Sequence, residues 1–282
     1  MIGRPPLILD GGWATELQAR GLALGEPSDA WNLSHAADVL AVARSYVEAG
    51  ARAILTNTFQ ANPISLARTG REGDSRRINL EGARISREAS GRGLVFGSIG
   101  PAGWVAGPVV SRTADAYALQ ADALAEGGVD ALVLETFGDL ADARSAARAA
   151  LATGLPLVAS FYFDTAGDGP RTFDGSTPEE VARAMEAEGV DGVGANCGAG
   201  IDEFPAIARR LASACNLPVW IKPNAGLPTI EDVKAIYATS AADFAAFLPK
   251  LVQAGADCIG GCCGTTPEFI AALRRAADAM NR

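Results

Sequence analysis

The chain has 282 residues, 49% of them hydrophobic and 20% charged, with a formal net charge of -9, the make-up of one globular domain with a sizeable core. No basic cluster breaks the mixed surface pattern, which excludes nucleic acid as a partner because phosphate binding needs concentrated Lys and Arg. No apolar run reaches the roughly 20 residues a membrane span requires, and residues 1–6 lack a signal-peptide layout, so no membrane and a cytoplasmic setting with reduced thiols are expected.

Along the chain, short β-branched or apolar runs alternate with longer Ala-, Leu- and Arg-rich stretches of helical period. Strands are predicted at 7–12, 53–59, 95–101, 131–137, 156–163, 192–198, 218–226 and 258–264. Helices are predicted near 38–50, 75–92, 113–128, 138–153, 177–189, 201–214, 241–254 and 267–281. Ser176-Thr177-Pro178-Glu179-Glu180 sets a hydroxyl before a proline and acids in a first turn, and Thr266-Pro267-Glu268 repeats the device. Gly50, Gly127-Gly128 and Gly255 mark helix ends. Eight strand–helix pairs in strict alternation imply a parallel sheet, and eight strands close a barrel. The expected fold is therefore α/β, a (β/α)8 TIM barrel forming a single domain over residues 1–282. An open doubly wound sheet is the rival, but no G-x-G-x-x-G turn follows an early strand. The longest irregular connection is expected at 227–240.

Barrel chemistry sits at the C-terminal strand ends. Asp10, Glu135, Cys197, Cys262 and Cys263 converge there from strands one, four, six and eight. Five cysteines are poor evidence for disulfides in a reducing setting, and the single histidine, His35, excludes His-cluster metal sites and makes a His-activated nucleophile improbable. Successive strand residues face opposite ways, so Cys262 and Cys263 reach one ion only from irregular backbone, which Gly260, Gly261 and Gly264 permit. With Cys197 they would give three ligands and an open position, the pattern of catalytic zinc. The alternative is one core cysteine and one exposed bystander. Cys215 and Cys258 read as packing residues. Three thiolates make zinc a poor generator of hydroxide but a good holder of a substrate thiolate. Asp10 and Glu135 read as partners of a substrate ammonium, with the Gly11 and Gly12 amides left for a carboxylate. A thiol-bearing α-amino acid fits. Alternatively, Asp10 caps the next helix and Glu135 pairs with an arginine.

The stretches Leu9-Asp10-Gly11-Gly12, Thr56-Asn57-Thr58-Phe59, Gly97-Ser98-Ile99-Gly100-Pro101, Leu134-Glu135-Thr136-Phe137, Asn196-Cys197, Pro223-Asn224-Ala225-Gly226 and Gly260-Gly261-Cys262-Cys263-Gly264-Thr265-Thr266-Pro267 resemble the homocysteine S-methyltransferase family nearly end to end. The resemblance implies zinc (Zn2+) on Cys197, Cys262 and Cys263, with homocysteine sulfur in the fourth place and Asp10, Gly11 and Glu135 around its amino and carboxylate groups. It also implies that Thr56 and Asn57 line the pocket and that Asn224 is an exchangeable zinc ligand. The implied reaction is attack of the zinc-bound homocysteine thiolate on a methyl donor to give methionine.

The donor would be S-methylmethionine, betaine or a methyl group on a separate corrinoid protein. Trp13, Trp31, Phe59, Trp104 and Phe137 lie near the predicted mouth, where they would form a cage for a methylated cation. Loop packing explains the same aromatics equally well. Two other functions are open: a thiolate–zinc redox or metal sensor, and an aldolase using Lys222 as a Schiff-base amine.

Overall fold

The structure is a computed structural model and describes residues 6–102, 110–198, 200–231 and 234–280. Eight parallel strands form the barrel: β1 (Leu7–Ile8), β2 (Ala53–Leu55), β3 (Leu94–Ile99), β4 (Ala131–Phe137), β5 (Leu157–Phe161), β6 (Gly192–Cys197), β7 (Val219–Pro223) and β10 (Ala256–Ile259). A two-stranded antiparallel ribbon, β8 (Pro228–Glu231) with β9 (Lys234–Tyr237), follows β7. The strand order is β1-β10-β7-β6-β5-β4-β3-β2. A parallel bridge from Leu9 to Ala53 and the Arg52 N–H to Ile8 carbonyl bond of 2.8 Å join β1 to β2, which brings the ring round on itself.

Helices cover the outside, and the main core lies between them and the sheet. A second cluster, Leu9, Ala53, Leu55, Val133 and Trp220, fills the barrel interior. Trp220 stacks on Phe96 there at 5.5 Å. Gly194 makes the room: a Cβ on it would lie 2.0 Å from the Trp220 carbonyl oxygen. The Thr177–Glu180 capping box starts the helix Pro178–Glu188, and Gly50, Gly128 and Gly255 close helices with φ of +102°, +79° and +100°.

Three expectations change. The connection at 227–240 is largely the β8–β9 ribbon, because Pro228 to Glu231 and Lys234 to Tyr237 pair with each other. The helix expected at 241–254 is two, Ala241–Ala245 and Leu248–Gln253. β1, β2 and β10 end earlier than 12, 59 and 264, since beyond Ile8 and Ile259 the backbone bonds, such as Gly261 N–H to the Asp10 carbonyl at 3.0 Å, no longer form a regular ladder. At Asp10 the carboxylate accepts the Leu55 N–H at 2.7 Å. Among the described residues no helix is long and apolar enough to cross a membrane.

Candidate metal centre and substrate pocket

Cys197 ends β6, and Cys262 and Cys263 lie in the Gly-rich segment after β10. Their three sulfurs lie within 4.8 Å of one another. The Cys262 and Cys263 sulfurs are 4.0 Å apart, too far for a disulfide. Zinc–sulfur bonds of about 2.3 Å at tetrahedral angles separate sulfurs by about 3.8 Å, so the trio fits such an ion without large rearrangement. The backbone irregularity is specific. Cys262 N–H donates to the Pro223 carbonyl at 2.7 Å, Cys263 N–H donates to Asn224 Oδ1 at 3.0 Å, and Gly264 takes φ +78°. Hydrogen bonds from Cys262 and Cys263 pull the Cys197 thiol down to about 3, while its bonds with Cys197 push Cys263 up to about 12. Three thiolates this close repel one another, so holding all three ionised requires a cation among them.

Thr136 and Cys197, at φ 61° and 63°, are the non-glycine residues of positive φ among the described residues. Both stand at this site, where such a conformation costs about 1–3 kcal/mol and survives only when the surroundings enforce it. Asn196 supplies the enforcement for Thr136: its Oδ1 accepts the Thr136 N–H at 2.9 Å and the Ser160 hydroxyl at 2.6 Å, and its Nδ2 donates to Thr136 Oγ1 at 2.6 Å. The pairing of β4 with β5 shifts register at this point. Asn224 braces the thiols: its Nδ2 donates to the Gly198 carbonyl at 2.7 Å and lies 3.7 Å from Cys197 Sγ, while its oxygen is taken by Cys263 N–H.

The carboxylates are deeper. Asp10 Oδ1 accepts from Lys222 Nζ at 2.6 Å, and its Oδ2 accepts the Leu55 N–H and the Trp13 indole N–H, each at 2.7 Å. Glu135 Oε2 accepts the Ser98 hydroxyl at 2.7 Å. Burial raises the Glu135 carboxyl above its ordinary value, against the opposing pull of Lys222. Burial also pulls the Lys222 ammonium down, but Asp10 and Glu135 outweigh it and hold it above its usual range. An ion-paired ammonium is the wrong form for a Schiff-base nucleophile, which must attack as the free amine. Gly12 N–H donates to the Thr265 carbonyl at 3.0 Å, whereas Gly11 N–H makes no hydrogen bond among the described residues.

Thr56 Oγ1 bonds the Thr58 hydroxyl and accepts the Ser98 N–H. Asn57 donates to the Ser28 carbonyl and to Asn32 Oδ1, tying the segment after β2 to residues 28–32. Two rings of the predicted aromatic cage are withdrawn from the barrel mouth. Trp31 is 4% exposed and stacks on His35, and Phe137 is 0% exposed against Tyr117, so packing encloses both rings. Trp13 is half-buried and tied to Asp10, and the half-buried Phe59 ring covers Gly100. Trp104 lies outside the described residues. Sequence reasoning did not identify the pair that the structure offers instead. Phe173, 64% exposed, stacks on Tyr162 at 4.8 Å. Tyr162 follows β5, its ring edge 3.9 Å from where a Cβ on Gly198 would stand, next to Cys197. Tyr237 was also missed. Its ring lies over Gly264, and burial followed by the charges of the neighbouring cysteines pushes its hydroxyl up. Cys258 packs against the barrel interior and Cys215 ends a helix, as expected of packing residues.

An eight-stranded α/β barrel whose strand ends gather three thiols beside a buried acid–lysine pair defines a thiol-handling barrel protein. Residues 7–277 match the model of the homocysteine S-methyltransferase family, and the chain belongs to that family of methyltransferases. It is 31% identical to the homocysteine S-methyltransferase of Escherichia coli K12 over 95% of this chain and 94% of that one. It is 30% identical to the methionine synthase of Mycobacterium tuberculosis, over 98% of this chain but 25% of that protein. The chain thus spans about a quarter of the length of the mycobacterial methionine synthases it matches. The crystal structure of the E. coli homocysteine methyltransferase MmuM in its metallated form superposes with a TM-score of 0.79 at 27% identity, covering 96% of each chain.

Proposed function

We propose that this chain is a zinc-dependent homocysteine S-methyltransferase that makes methionine in the cytoplasm, as one barrel domain over residues 1–282. The observation that carries the proposal is the set of three sulfurs within 4.8 Å at the mouth of the barrel. Cys197, Cys262 and Cys263 would hold the zinc, which when bound supplies a Lewis acid that keeps a substrate thiol ionised at neutral pH. Glu135 would take the substrate ammonium and Gly11 N–H its carboxylate, with Thr56 and Asn57 shaping the wall. These contacts fix the amino-acid end and leave the sulfur facing the thiols, so that the protein contributes alignment. A new sulfur–carbon bond forms as the methyl group leaves its donor, and the electron pair of the broken bond stays with the donor.

The donor proposed is a small methylated onium compound. Its support is the exposed Phe173–Tyr162 stack beside Cys197, since an aromatic face attracts a cation by about 0.5–2 kcal/mol. Trp13 and Phe59 stand as further candidate walls of that subsite. A methyl-corrinoid protein is the second reading, favoured by the likeness to methionine synthases. The test is methionine formation from homocysteine by zinc-loaded protein with S-methylmethionine, betaine or methylcobalamin. S-methylmethionine is expected to be the fastest, and Phe173→Ala to slow it by about ten-fold at low donor concentration. Turnover with methylcobalamin alone would install the second reading. Zinc-loaded protein that binds no homocysteine would favour the sensor.

A further inference from the structure

We infer that Lys222 is a built-in counter-cation for Asp10, a positioning residue that leaves Glu135 as the one carboxylate open to a substrate ammonium. The inference rests on the homocysteine reading above and adds how the pocket chooses its substrate.

Lys222 and Asp10 are 1% and 0% exposed and meet at 2.6 Å. Asp10 has no oxygen to spare, because the Leu55 amide and the Trp13 indole occupy the other one. Its three donors come from β2, β7 and the first helix, Trp13–Gln18, so the carboxylate acts as a knot between elements. Glu135 differs in kind. It is 9% exposed, Ser98 takes Oε2, and Oε1 makes no hydrogen bond among the described residues. Two buried carboxylates facing a single substrate ammonium would leave the filled pocket one positive charge short, and an unpaired buried charge is costly. Lys222 supplies the missing charge from the chain itself. The filled pocket then holds two carboxylates and two cations: Asp10 with Lys222, and Glu135 with the substrate. A thiol lacking the amino group leaves Glu135 unpaired, so the pocket discriminates against it.

The experiment measures binding by calorimetry, independent of any methyl donor. Zinc-loaded wild type, Glu135→Gln and the double variant Asp10→Asn/Lys222→Met are titrated with L-homocysteine and with 4-sulfanylbutanoate, its analogue without the amine. The readout is the ratio of the two dissociation constants. Glu135→Gln is expected to lower the wild-type preference for homocysteine by about ten-fold or more, the size of a lost bond to a charged group. The double variant, which removes the pair as a neutral unit, is expected to keep the preference within about three-fold. The single variant Lys222→Met should unfold at a lower temperature than the double variant, because it alone leaves a buried carboxylate without its cation. A double variant that loses the preference as Glu135→Gln does would overturn the inference and assign the ammonium to Asp10. Equal unfolding temperatures for Lys222→Met and the double variant would overturn the pairing. Wild type that binds neither thiol would remove the homocysteine reading itself, a separate outcome.

Discussion

A Cys262→Ser protein is expected to retain no zinc through purification and to form methionine about a thousand-fold more slowly or worse, given that outer-shell changes alone cost metal sites about 10–100-fold. The Cys262 sulfur lies 4.0 Å from that of Cys263 and within 4.8 Å of that of Cys197. Serine preserves the 2.7 Å bond from its N–H to the Pro223 carbonyl, so the backbone has no reason to move. What is lost is the soft anionic ligand, since a hydroxyl stays protonated at neutral pH where a coordinated thiol does not. Metal per chain by mass spectrometry and a methionine assay check both halves. Cys258→Ala is the control: that thiol packs against the barrel interior, so zinc content should be unchanged. Full zinc in Cys262→Ser would take that residue out of the ligand set.

Gly12→Ala is expected to act on the same cluster from outside it. Gly12 has φ -81° and ψ 110°, which alanine adopts freely, so backbone preference opposes nothing. The obstacle is space. A Cβ there would lie 2.6 Å from the Cys262 carbonyl oxygen, and the Gly12 N–H and carbonyl are held by Thr265 and Tyr46. The Cys262–Gly264 segment must therefore shift, and overpacking of this kind costs about 1–3 kcal/mol. Zinc affinity, read by competition with a chelator, should fall about ten-fold or more as the sulfurs move off their geometry. An unchanged affinity would mean that this segment gives way without moving its thiols.

The barrel was legible because alternation of strand and helix is a local signal repeated eight times. The thiols were legible because only glycine-flanked, strand-end cysteines were candidates, and one histidine left no competing ligand set. Residues joined across the fold were not. Lys222 meets Asp10 across 212 positions, and Asn196 meets Thr136 across 60, distances at which no pattern in the chain speaks. Lys222 is legible as a candidate Schiff-base amine within the strand predicted at 218–226, but its partner is not, and the partner decides that it is ion-paired. Trp31 and Phe137 drop out of the aromatic cage for a related reason. A place near a strand end does not say which way a ring faces, and Phe137, following Thr136 at φ 61°, is turned into the core. Phe173 was overlooked because it lies between strands, in the stretch after the Asp164–Arg171 bridge begins, where no periodicity marks it. The short helices Trp13–Gln18, Trp31–Ser34 and Pro63–Leu66 are too brief for a helical period to emerge.

The central claim is that homocysteine binds this protein as a thiolate held at the three-cysteine zinc site. Proton release on mixing tests it most directly, with zinc-loaded protein and L-homocysteine at pH 7 in a weakly buffered indicator solution. A free thiol with a pKa of about 8.5 enters mostly protonated, so binding as thiolate should release about one proton per site. Metal-stripped protein should release none. Tight homocysteine binding to the zinc-loaded protein with no proton released would contradict the account.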